Sequence, residues 1–168
     1  MLKIKSFISI ALLCASATTA PAEQMLPITD APVNIYADHM KYDIKTGISE
    51  YKGNVRVTQN TIELTGDKVT AVQKDKVLKN IKVTGSPAVY RQLSEDGSYI
   101  NAQSMKMEYQ ADNNRLILSD KARLEQAGSV VESEQIIYDT IREVVIAGDD
   151  SANKRVNITI TPEKIKKK

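Results

Sequence analysis

The chain has 168 residues, 26% of them charged and 42% hydrophobic, a balance that suits one packed domain. That excludes a disordered tail, a collagen-like fibre and a multi-span membrane protein. With 23 basic residues against 21 acidic ones, one cysteine and one histidine, there is no room for an internal disulfide and little for a zinc site of Cys and His ligands.

In chain order, residues 1–22 read as a secretory leader. Lys3 and Lys5 form its basic start, Phe7 to Ala15 its apolar run, and Ala20-Pro21-Ala22 its cleavage site, with the cut after Ala22. The run is shorter than the roughly 20 residues a membrane-spanning helix needs. A lipid-anchoring site at Cys14 would want a smaller residue than Leu13 before it. The expectation is therefore an exported, soluble chain with a lead-in at 23–32, a domain at 33–162 and a basic tail at 163–168. Removing the leader takes away two lysines, the only Cys and the only Phe, and leaves the charges balanced. The basic residues then concentrate in the tail (Lys164, Lys166, Lys167, Lys168) and the body is acidic, a poor platform for nucleic acid.

From residue 33 onward the hydrophobic period is two. Val33-Asn34-Ile35, Val55-Arg56-Val57, Ile62-Glu63-Leu64, Ile81-Lys82-Val83, Leu116-Ile117-Leu118, Ala122-Arg123-Leu124 and Val156 to Ile160 read as short strands. Breaks are expected at 45–47, 51–54, 85–87, 96–97, 112–114, 127–128 and 148–149, where Gly, Asn, Asp and Pro cluster. The prediction is an all-β meander without a significant helix. A shift of 67 residues aligns Tyr42 with Tyr109, Arg56 with Arg123 and Gln59 with Gln126, and a shorter echo aligns Tyr109 with Tyr138. Such units bury their apolar faces only against neighbours, and the first and last strands stay open as edges.

Little chemistry is on offer. No Gly-rich phosphate loop, nucleophile elbow, cofactor motif or metal-ligand spacing is present, and His39 beside Asp38 reads as a surface residue. No enzyme is expected. The inner face, with Val55, Val83, Met105, Met107, Leu118 and Ile136 among its residues, is aliphatic and nearly free of large rings. It fits either a solid sandwich core or a groove that holds acyl chains, each buried methylene contributing about 0.8 kcal/mol.

Several motifs then point to a family. Pro32 to Asp38 with Tyr42-Asp43 and Thr46-Gly47, Tyr51 to Gln59, Leu64 to Val69, Gly85 to Gln92 and Lys154 to Pro162 together resemble the OstA-like domain, in the right order. The second repeat departs from the pattern with Ser119-Asp120-Lys121 where the family has Thr-Gly-Asn. The resemblance implies a twisted antiparallel β-jellyroll open at both ends, carrying lipopolysaccharide by its lipid A acyl chains. It places acyl contact at Val33, Ile35, Val57, Leu64, Val89, Met107, Tyr109 and Leu118. It also implies partners at two edge strands: LptC at Val33, Asn34, Ile35 and Tyr36, and LptD or a further copy of the chain at Arg155, Val156, Asn157 and Ile158. The outcome would be a head-to-tail bridge between membranes; the competing reading is a monomeric periplasmic lipid chaperone.

Overall fold

The computed structural model describes residues 31–75, 77–94, 96–148 and 155–161. The leader, residues 23–30 of the lead-in and the basic tail lie outside the described residues. Ten strands form one antiparallel sheet: β1 (Asn34–Tyr36), β2 (His39–Asp43), β3 (Ile48–Gln59), β4 (Ile62–Lys74), β5 (Val77–Leu93), β6 (Tyr99–Gln110), β7 (Arg115–Gln126), β8 (Ser129–Asp139), β9 (Val144–Ala147) and β10 (Asn157–Thr159). No helix occurs among the described residues.

β3 to β8 are long, and each is broken in register near its middle. The irregularities fall between Lys52 and Val55, Thr65 and Lys68, Thr84 and Ala88, Gln103 and Lys106, and Ser119 and Ala122. They line up across the sheet as a crease that folds it into two leaves. β2 pairs with β3 on one side of the crease (Ile48 to Lys52) and β1 on the other (Arg56 to Thr58). At the far end β9 pairs with Ile136 to Asp139 of β8 and β10 with Val130 to Glu132. The first leaf thus runs from β2 to β9 and the second from β1 to β10. Among the described strands, those that are not hydrogen-bonded partners keep their Cα atoms more than 8 Å apart, in keeping with leaves facing across a layer of side chains. This is the twisted jellyroll, open at each end.

The crease explains where the sequence reading of breaks fails. Residues 51–54 and 85–87 are not turns; β3 and β5 continue through them, and Leu116-Ile117-Leu118 and Ala122-Arg123-Leu124 belong to one strand, β7. A bulge and a tight turn both call on residues with positive φ, so the local signal is the same. Gly53 (φ 79°) and Asn54 (φ 47°) supply it in β3. A Cβ at Gly53 would also collide with the Asp38 carboxylate, whose Oδ2 accepts a 3.0 Å bond from the Asn54 amide. The repeat of 67 residues is structural: β7 has the bounds of β3 displaced by that number, and Asp120 (φ 65°) and Lys121 (φ 58°) stand where Gly53 and Asn54 do.

One hydrophobic cluster joins the leaves along the crease. Val55, Ala88, Ala122 and Leu124 come from the second leaf, and Val69, Val83, Met107, Leu118 and Ile136 from the first. Leu118 and Ile136 are 0% exposed. Each such side chain contributes roughly 1.5–3 kcal/mol by leaving water, which secures the fold line.

Candidate functional site

Residues directly opposite each other in a ladder share a face, so the register traces the inner walls. In the second leaf one row runs Ile35, Val57, Leu64, Tyr90, Ala102, Leu124, Val131, Ile158, from β1 to β10 without a charged member. In the first leaf Met40, Tyr51, Val69, Val83, Met107, Leu118, Ile136 and Ala147 form the matching row from β2 to β9. Both rows end at strands paired on one side only. Three of their four terminal side chains, Ile35, Met40 and Ile158, are exposed, and the fourth, Ala147, is half-buried against the core. Charges sit on the other face: Arg56 bonds Glu63 at 2.7 Å, Arg123 bonds Glu132 at 2.9 Å, and Glu50 bridges Lys52 and Lys68.

The eight residues expected at acyl chains divide by depth. Met107 and Leu118 lie at the floor beside the crease, where the protein's own side chains already cover them. Ile35, Val57 and Leu64 are brought together in the second-leaf row, and Tyr109 stands half-buried in the first leaf. Val33 is exposed just ahead of β1. Val89 corrects the expectation. It is 37% exposed between Ala88 (0%) and half-buried Tyr90, and therefore faces outward. The irregularity at 85–87 resets the alternation of β5, which a count of every second residue carries straight through. Met105 lies in the same crease, half-buried and unpaired in the register.

The expected edges are edges, with different bounds. Asn34, Ile35 and Tyr36 form β1; Arg155 and Val156 precede β10, which begins at Asn157. Sequence reasoning missed β2 and β9, the two free edges of the first leaf. It also missed Tyr90 and Met40 as members of the inner rows, because only the pairing reveals them. His39 is exposed opposite Lys52, and no group of three or more His, Cys, Asp or Glu could hold a metal ion among the described residues.

Tyr90, Tyr109 and Tyr138 bring phenols to the inner walls. Burial pushes the Tyr138 hydroxyl up to about 12, with the Glu143 and Asp139 charges adding to the shift. Burial also raises Tyr90, aided by Tyr138 and Tyr109 nearby, and raises Tyr109 by itself. None of the three ionises at neutral pH, so each offers a neutral O–H.

Residues 34–144 match the family model of the LptA/(LptD N-terminal domain) LPS transport protein. The chain belongs to this family. The lipopolysaccharide export system protein LptH of Pseudomonas aeruginosa is 34% identical over 143 residues, 80% of this chain and 82% of that protein. The export system protein LptA of Escherichia coli K12 is 27% identical over 154 residues, 90% and 83% of the two chains. The crystal structure of LptH, described as the LptA-homologous periplasmic component of the conserved lipopolysaccharide transport device, superposes with a TM-score of 0.72 over 79% of this chain and 96% of that one. An LptA-like chain is thus a transport component without an enzyme's chemistry, and its jellyroll is the family's fold.

Proposed function

We propose that this LptA-family protein is exported to the periplasm and carries lipopolysaccharide from the inner to the outer membrane. The acyl chains of lipid A lie between the leaves, above the self-packed floor that includes Leu64 and against the partly exposed walls that include Val57 and Tyr109. The observation that supports this best is the pair of apolar rows that reach the free edges, ending on exposed Ile35, Met40 and Ile158 and on half-buried Ala147. A row that served only a closed core would end on a polar rim, as water demands at an edge.

Strand pairing extends the track. β1 offers unpaired backbone groups to LptC, and β10 offers them to LptD or to β1 of a second copy, so that Ile158 of one chain continues into Ile35 of the next. The protein needs no chemistry of its own, since a partner at the inner membrane supplies the drive. Photo-crosslinking residues placed at Val57 and Leu64 should give lipopolysaccharide adducts in cells, with Val89 as the outward control. Adducts at Val89 and none at the inward positions would overturn the reading. Ile35→Pro separates a bridge from a monomeric chaperone. It removes an edge N–H and should abolish end-to-end association while a chaperone would still bind lipid.

A further inference from the structure

Three hairpins of the first leaf share one device. β2, β6 and β8 each close with a tyrosine and one more residue, followed by a four-residue turn, at Tyr42, Tyr109 and Tyr138. The last residue of each turn has positive φ: Gly47 (69°), Asn114 (54°) and Glu143 (53°). The register sets all three tyrosines in a single inner row, Tyr42, Ser49, Ala71, Ile81, Tyr109, Leu116, Tyr138, Val145, parallel to the track and nearer its mouth than the Met40 row. Packing at this height does not require a phenol, because Ile81, Leu116 and Val145 serve between them.

The hydroxyls of Tyr109 and Tyr90 point toward the mouth. Tyr109 donates to Asn114 Oδ1 in the turn at 3.4 Å. From the facing leaf Tyr90 donates to Gln92 Oε1, two residues nearer its own turn, at 2.5 Å. Between the leaves polarity is therefore graded: aliphatic at the crease (Val83, Leu118, Ile136), hydroxyl at mid-height, amide at the lip.

Building on the lipid-carrier reading above, we propose that Tyr42 and Tyr109 of this row, with Tyr90 and Gln92 opposite, form the site that holds the ester and amide linkages of a multiply acylated sugar lipid, while Tyr138, 2% exposed, is covered by the core. The tails point to the crease and the sugar head to the turns. A phenol donates to a linkage carbonyl and accepts from a sugar hydroxyl, so it serves both. Spaced along the row, exposed Tyr42 and half-buried Tyr109 let a lipid advance between two stations and remake its hydrogen bonds at each. A lipid of one chain and one carboxylate has no such linkages, and its charged head stays in the water at the mouth, beyond the mid-height phenols.

The test compares two probes on the purified protein: a hexa-acylated, phosphorylated glucosamine disaccharide, and myristate. Tyr90→Phe and Tyr109→Phe keep the rings and remove the hydroxyls. Each should weaken the disaccharide lipid about five-fold, the worth of one hydrogen bond, and leave myristate unchanged. Unaltered disaccharide affinity, or equal loss for both probes, overturns the proposal and spares the carrier reading. Binding of neither probe by the unsubstituted protein overturns the carrier reading and this one with it. Thermal unfolding verifies that the variants fold. If either fails, Gln92→Leu at the lip must show the same contrast between probes, and its absence overturns the proposal equally.

Discussion

Lys121 and Glu143 hold left-handed backbone where the equivalent positions of the other repeats have Asn54, and Gly47 and Asn114. Only Gly, and to a lesser degree Asn and Asp, adopt this conformation cheaply. Lys121→Asn and Glu143→Gly should each stabilise the fold by up to about 1 kcal/mol, measured by chemical denaturation. Gly53→Ala is the reverse case. It adds a Cβ to a left-handed residue and drives it into Asp38, so a loss above about 1 kcal/mol is expected in the same assay. The departure noted at Ser119-Asp120-Lys121 was legible as a turn of altered sequence. That it stands inside a strand was not, because φ alone does not distinguish a bulge from a turn.

Glu50 accepts bonds from Lys52 and Lys68, which hold its carboxyl at about 2 against an ordinary 4.5. Its folded value lies below the unfolded one, so its contribution is present above about 4.5 and is lost as pH falls toward 2. Glu50→Gln should flatten the acid limb of a stability–pH profile in that window, with a small effect at neutral pH because the network is exposed.

At the scale of elements, the crease matters more than any single strand. Leu118, fully buried in β7, packs against it, and Leu118→Ala should cost roughly 2–5 kcal/mol by denaturation. The turns at 45–47, 112–114 and 127–128 were legible from their Gly, Asn and Asp residues, and the structure has turns there. The strands around 55–57, 62–64, 81–83 and 122–124 were legible from alternation. β2 and β9 were not, since each is short and draws its definition from β3 and β8 rather than from a pattern of its own. The bulges hid for the same reason: a register shift is a relation between two strands, and one strand read alone does not contain it.

Across the whole molecule, each end presents two free edges, one per leaf: β1 and β2 at the start, β9 and β10 at the finish. A joint between copies would extend the second-leaf row through Ile158, which is 58% exposed in the single chain. Ile158→Asp places a carboxylate in that row and should reduce end-to-end association strongly while leaving the fold intact, because the site faces water until a neighbour covers it. Sedimentation across a concentration series reads the outcome, and unchanged association would remove β10 from the joint.

Composition, period-two alternation and the 67-residue repeat determined the all-β class and the repeated unit, because those properties are written in residue type and spacing. Which face each residue occupies beyond the crease was decided by the tertiary structure. Val89 turned outward, Tyr90 turned inward and two extra edges appeared because bulges in adjacent strands align into one fold line, and that alignment exists only when the strands are paired.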